Sequence, residues 1–318
     1  MTASSTSPTG RSQTEPSKAE ALPWTWPTFG GLQFWSDVHL FRDWRIQRHA
    51  YRDEHRLLGP ANLRWASGSE EHCRLMLDRV IAGRRLEPLT GTAVVVLHGL
   101  IRTRHSMAQI ARRLRREGHA VYNLSYCSTR RPIPWHADNL RRVLAGLEQH
   151  AEIHLVGYSL GGLVIRAALA NHDDPRVRRV VTIGTPHLGA EKADKWAGWP
   201  LFDFVAGETG WQLGTGERSI TRVLPPTLNR EFGVIAGGRG RDRGYSPILP
   251  GDNDWTVTVA STRLPGAADF LLVRAPHSLL THNRQVQDAT ASFLEHGWFR
   301  SADLREPIPL AAQSSAPT

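Results

Sequence analysis

The sequence predicts an α/β fold with a mostly parallel central sheet, helices on both of its faces and a cap-like insertion. Strand and helix patterns alternate from Ala93 to Ile183, the rhythm of βαβ units. Apolar runs such as Val94, Val95, Val96 and Leu97 are continuous, as strands covered on both faces require. Between them the apolar residues fall at helical spacing: Met107, Ile110, Ala111 and Leu114 share one face, and Leu140, Val143, Leu144 and Leu147 share the next.

Residues 1–25 lack apolar periodicity and read as a disordered tail. Residues 26–90 read as an extension that packs on the core. There Trp44–Gln47 and Leu57–Trp65 flank the turn residues Gly59, Pro60, Ala61 and Asn62, which predicts short antiparallel strands before a helix over about Glu70–Ile81. Phe34–Trp44 is compatible with a further helix.

The main domain is expected over 91–298. Its strands are read at Ala93–Leu97, Ala120–Leu124, Ile153–Val156 and Arg179–Ile183, with helices near Ser106–Glu117, Ala137–Gln149 and Leu160–Ala170. The rhythm then breaks over His187–Arg230, a Gly-, Trp- and Pro-rich insertion that reads as a cap. It resumes with strands at Phe232–Ala236, Thr256–Val259 and Phe270–Val273 and closes with a helix over about Asn283–Glu295. Residues 299–318 read as a second tail, Ser/Pro/Ala-rich from Pro307.

Composition narrows the function classes. A chain of 318 residues that is 40% hydrophobic can hold one large domain. No window approaches the length of a membrane span and the start lacks a signal-like apolar segment, so the cytoplasm is the expected location. Cys73 and Cys127 are too few for a disulfide framework and too far apart for a metal-ligand pair, and they read as small buried hydrophobes. The net charge of +9 comes from arginines scattered over several elements, with only Lys18, Lys192 and Lys195 beside them. That distribution fits solvated helix faces rather than a nucleic-acid site.

The chemistry is concentrated in Gly157-Tyr158-Ser159-Leu160-Gly161, a Gly-x-Ser-x-Gly pentapeptide between an apolar strand and a helix. That setting holds the serine on a strained turn at the carboxyl end of the sheet and near a helix N-terminus. A serine hydroxyl needs a base and an orienting acid, which in this arrangement follow it in the order acid, then histidine. His277 follows the last strand in a loop before the final helix and is the leading base, with His282 and His296 as the other candidates. Asp254 is the leading acid and Asp252 its alternative, both in the segment Gly251–Val257. The oxyanion donors are expected to be the backbone N–H groups of Leu160 and of Leu100, the latter after the turn at Gly99. His98 reads as a residue that fixes this loop.

The set Leu97-His98-Gly99-Leu100, Gly157–Gly162, Gly184-Thr185-Pro186-His187-Leu188-Gly189 and Asn253–Val257 resembles bacterial lipases and esterases of the α/β-hydrolase superfamily, including relatives of the inositol-deacylase lipases, over about Ala93–Gly297. The resemblance implies the α/β-hydrolase fold and a triad of Ser159, Asp254 and His277. It also implies hydrolysis of a small-molecule or lipid ester without cofactor or metal. Family members usually carry Gly at the position of Trp255. Transfer of the acyl group to another acceptor, or cleavage of a thioester or amide, would use the same residues. A reading of another class, a lipid-surface or partner-binding module, rests on Trp24, Trp26, Phe34, Trp35 and Trp44 beside basic residues. The insertion is expected to overhang Ser159 and to line an acyl pocket with residues such as Trp196, Trp199, Leu201, Phe202, Phe204 and Trp211.

Overall fold

Alternating burial along the N-terminal section is resolved by a sheet in the computed structural model, which describes residues 26–27, 33–170, 172–190, 209, 212–214, 216 and 219–310. Strands β1 (Trp26–Pro27), β2 (Trp35–Phe41), β3 (Trp44–His49), β4 (His55–Leu58) and β5 (Leu63–Gly68) form an antiparallel sheet in the order β1-β5-β4-β3-β2. The segment Phe34–Trp44, compatible with a helix by sequence, is therefore mostly strand. Arg42 turns the chain at φ 53, so that Phe41 lies beside Trp44 and β2 pairs back along β3. The turn expected at Gly59–Asn62 is a 3-10 turn at Pro60–Asn62 between the antiparallel β4 and β5, where Ala61 and Asn62 both have positive φ. Helix α1 (Glu70–Arg84) follows, capped by the Ser69 hydroxyl accepting from the His72 N–H.

This sheet and α1 enclose a small core of Val38, Trp44, Ile46, Leu57, Trp65, Cys73, Leu77 and Val80. Trp44 and Trp65 meet edge to face at 5.0 Å, and Arg56 lies over Trp35 at 4.2 Å. Of the aromatic residues that suggested a binding face, Trp44 is therefore core, Trp35 is half-buried against Arg56, and Phe34 is exposed. Trp24 lies outside the described residues.

The central sheet follows from the buried apolar runs. Its six strands are β6 (Ala93–Leu97), β7 (Ala120–Asn123), β8 (Ile153–Tyr158), β9 (Val177–Ile183), β10 (Glu231–Gly238) and β11 (Asp269–Arg274). All are parallel, in the order β11-β10-β9-β8-β6-β7. The period-2 alternation of strand side chains divides the core in two. Val95, Leu97 and Leu155 pack with α3 (Ile133–Ala145) and α4 (Leu160–Leu169) on one face, whereas Val94, Val96 and Val156 pack with α2 (Ala108–Arg116) and the final helix on the other. Helix α3 starts before its expected position because Pro134 in its first turn lacks only a donor that the turn does not use.

Two further expectations change. Thr256–Val259 is no strand, because the Asp254 carboxylate takes the Thr256 and Val257 N–H groups, the Asp252 carbonyl takes that of Val259, and Thr258 caps the short helix α5 (Val259–Thr262) by accepting from the Ser261 N–H. Residues 299–310 do not trail away after the final helix α6 (Arg284–His296). Phe299 and Ile308 are buried, and Ile308 exchanges hydrogen bonds with Gly266 and Ala267 beside the sheet edge. No helix among the described residues is long and apolar enough to cross a membrane.

The buried Asp269 carboxylate ties this segment down by accepting from the Phe270, Phe299 and Glu306 N–H groups at 2.9, 2.7 and 2.8 Å. Asp269→Ala would orphan these donors, and a loss of about 3 kcal/mol in unfolding free energy is expected from urea titration. A change below about 0.5 kcal/mol would show that the carboxylate does not anchor the segment.

Candidate active site

Strand β8 reaches α4 through a single residue, Ser159, at φ 54 and ψ −120. Such a conformation costs an L-residue about 1–3 kcal/mol unless its surroundings impose it. Here they do. The Ser159 N–H donates to the Ile183 carbonyl at 2.8 Å, and its own carbonyl accepts from the Gly162 N–H at 3.1 Å and the Thr185 hydroxyl at 3.0 Å. Close packing explains the glycines: a Cβ at Gly157 would lie 2.5 Å from the Gly162 nitrogen, one at Gly161 2.7 Å from the Leu97 carbonyl oxygen, and one at Gly162 would collide with Thr185.

His277 follows β11 at the start of a 3-10 turn, and its Nε2 lies 3.1 Å from Ser159 Oγ. Its Nδ1 lies 2.6 Å from Asp254 Oδ2, and its backbone N–H donates to the Asp254 carbonyl at 2.7 Å. Asp254 is only 1% exposed, and its second oxygen accepts from the Thr256 and Val257 N–H groups at 2.9 and 2.7 Å. The carboxylate is thus fully engaged as an acceptor, which leaves the imidazole edge on Oδ2 as a donor. The three residues expected together from sequence form one hydrogen-bonded line.

The alternatives lie elsewhere. Asp252 accepts from the Arg239, Gly240 and Asn253 N–H groups at 2.8, 2.7 and 2.9 Å and so closes a turn. His282 is exposed beside Thr281, and His296 is exposed and stacks on Trp298.

The loop after β6 abuts the serine, since a Cβ on Gly99 would lie 3.1 Å from Ser159 Cβ and equally close to the Tyr158 ring. The Leu100 and Leu160 N–H groups have no acceptor among the described residues. His98 is buried, stacks on Tyr126 at 4.2 Å, and meets the Gly99 carbonyl through Nδ1 at 2.9 Å. Burial pushes its imidazole down to about 4, so it stands as a neutral brace for the loop.

Sequence patterns did not single out Tyr158, Asn253 or Arg166. The Tyr158 hydroxyl donates to the His277 carbonyl at 2.9 Å, and burial raises its pKa. Asn253 accepts from the Ser246 and Trp255 N–H groups at 2.8 and 3.1 Å, clamping the acid's loop. Trp255 itself sits at φ 87 and is 54% exposed. Buried Arg166 donates to the carbonyls of His187 at 2.7 Å and Pro225 at 2.6 Å, joining the two ends of the insertion. An asparagine or tyrosine of this kind leaves only a turn or apolar signature in sequence. Trp196, Trp199, Leu201, Phe202, Phe204 and Trp211 lie outside the described residues.

The fold, as distinct from the site, has known counterparts. The family model described as alpha/beta hydrolase fold matches residues 92–207. The crystal structure of Bacillus licheniformis lipase BlEst2 in mature form aligns with a TM-score of 0.50 at 21% identity, over 66% of this chain and 92% of that one. The propeptide form of that lipase aligns at 0.53 and 22%, over 71% of this chain and 54% of the other. The chain has the α/β-hydrolase fold. No curated protein matches it in sequence.

Burial also holds other imidazoles of this α/β-hydrolase fold neutral: His39 is lowered to about 4, and His136 and His154 to about 3. Because these native values lie below the unfolded value of 6.5, the unfolded chain binds more protons on acidification. Their contribution is fully present above about pH 6.5 and is lost as pH falls through 4 to 3. The urea midpoint is therefore expected to fall steadily from pH 6.5 to 4. A midpoint that rises over that interval would contradict neutral burial of these groups.

Proposed function

We propose that the chain is a serine hydrolase that cleaves carboxylic esters through an acyl-enzyme. The observation that carries this reading is the line from Ser159 Oγ to His277 Nε2 and from His277 Nδ1 to Asp254, held at 3.1 and 2.6 Å on a strained turn beside backbone N–H groups that have no acceptor among the described residues. The structure the chain resembles being a lipase supports the same choice.

In the proposed mechanism, His277 Nε2 takes the Ser159 proton as Oγ attacks the ester carbonyl carbon. Asp254 holds the Nδ1–H tautomer and stabilises the imidazolium. The carbonyl oxygen becomes an oxyanion facing the Leu100 and Leu160 N–H groups. Collapse breaks the ester C–O bond, and the imidazolium passes its proton to the departing alkoxide, which leaves as an alcohol. Water repeats the sequence on the acyl-Ser159 ester and releases the acid. Transfer to an alcohol would replace water only in this last half.

The test combines fluorophosphonate labelling with hydrolysis of p-nitrophenyl butyrate. Parent protein is expected to label at Ser159, and Ser159→Ala to lose both label and turnover while keeping its melting temperature. Turnover by a folded Ser159→Ala protein at the parental rate would sink the proposal. Asp254→Asn is expected to lower kcat by on the order of ten-thousandfold. Asp252→Asn should cost less than about tenfold, because its carboxylate closes a turn instead of meeting His277. A dead Asp252→Asn beside an active Asp254→Asn would reverse the assignment of the acid.

A further inference from the structure

The N-terminal antiparallel sheet has a direct route to the reacting serine. From β2, Asp37 exchanges hydrogen bonds with Ser125: its N–H donates to the Ser125 carbonyl at 2.9 Å, and its carboxylate accepts the Ser125 N–H at 2.7 Å. Ser36 Oγ accepts the Cys127 N–H at 3.0 Å, and Gln33 accepts the Thr129 hydroxyl at 2.7 Å. Residues 125–129, which follow β7, are therefore gripped along their length by the added sheet. From that segment the fully buried Ser128 turns its Oγ to the loop after β6 and accepts the Ile101 N–H at 3.1 Å.

Ile101 is an unusual residue to find there. Its φ is 59, in the left-handed region, where a β-branched side chain is a steric outlier, and its side chain is half exposed. Nothing about burying an isoleucine accounts for the conformation. What the conformation does is reverse the chain immediately after Leu100, with Gly99 packed on Ser159 and the Leu100 N–H left without an acceptor among the described residues.

We propose that Ser128 is a positioning residue for the oxyanion donor: by holding Ile101 in its left-handed conformation, it aims the Leu100 N–H at the carbonyl oxygen attacked by Ser159. This rests on the serine-hydrolase reading above. The sheet of β1–β5 then serves catalysis at one remove, because it fixes the segment on which Ser128 stands. The arrangement touches no substrate atom, so its effect falls on the transition state rather than on binding. An oxyanion donor is worth more to the developing charge than to the ground-state carbonyl.

The experiment uses the full-length protein and p-nitrophenyl butyrate. Fluorophosphonate labelling of the parent comes first: failure to label Ser159 removes the serine-hydrolase reading and this proposal with it. With labelling in hand, Ser128→Ala is expected to lower kcat about tenfold, a fraction of what deleting an oxyanion donor costs. KM should stay at the parental value, and the melting temperature should fall by only a few degrees, the cost of one part-buried N–H losing its acceptor. The inhibition constant of an aryl trifluoromethyl ketone, whose serine adduct carries the oxyanion, should weaken by the same factor. Adding Ile101→Gly to Ser128→Ala should recover most of the lost kcat, because glycine adopts positive φ without the side-chain clash. Should Ser128→Ala fail to fold, Ser128→Cys, of similar shape but with a weaker acceptor, is read by the same criteria. Parental kcat in a Ser128 variant overturns the proposal. So does a loss of kcat that tracks loss of melting temperature and is not recovered by Ile101→Gly, which would make Ser128 a structural residue only.

Discussion

Ser159 occupies backbone space that an L-residue avoids, and the molecule around it is arranged to keep it there. The strand–turn–helix passage at φ 54 is imposed by Ile183 on its N–H and by Thr185 and Gly162 on its carbonyl. Those partners are in place because Gly157 lies in register between Leu97 of β6 and Thr182 of β9. A shift of one residue in the β8–β9 pairing would move Ile183 away from the serine, and a shift in either pairing would turn alternate strand side chains toward the opposite core. Sheet register and candidate catalytic geometry are thus one constraint.

Around that turn the polar groups are matched rather than merely gathered. Asp254 spends one oxygen on two backbone N–H groups of its own loop and the other on His277. The same local capture stops residues after 254 from extending as a strand and instead turns them into α5. His98, buried with no carboxylate partner among the described residues, contributes as a neutral ring. Arg166 is buried with carbonyl oxygens as its acceptors, and desolvation lowers its pKa to about 10. Its value is that of a clamp between loop ends, since an arginine fork can span two carbonyls that a shorter donor could not.

The N-terminal sheet departs from a plain βαβ plan and is stabilised largely by its own core of tryptophans and aliphatics. Its strand β2 faces the central domain with Ser36 and Asp37, buried polar groups satisfied by residues 125 and 127 and, for the second Asp37 oxygen, by the Gln47 side chain of β3. Buried polar pairs of this kind specify one docking geometry where an apolar face would tolerate several.

Much of this was legible in the chain. Continuous apolar runs identify strands that must be covered twice, so the parallel sheet and its two helix layers follow from hydrophobic burial alone. Gly-x-Ser-x-Gly between strand and helix places Ser159, and chain order brings Asp254 and His277 into consideration, because these are local patterns with a local physical cause. Local pattern could not separate Asp254 from Asp252, two carboxylates in one turn, since what distinguishes them is which loop carries His277 to within 2.6 Å. Nor could it show that Phe34–Trp44 pairs as a strand or that residues 299–310 pack beside the sheet edge. It also could not show that Ser128 meets Ile101 across 27 positions. These outcomes depend on partners far away in the chain, and a backbone or carboxylate chooses among its possible hydrogen bonds only when tertiary packing decides which partners are within reach.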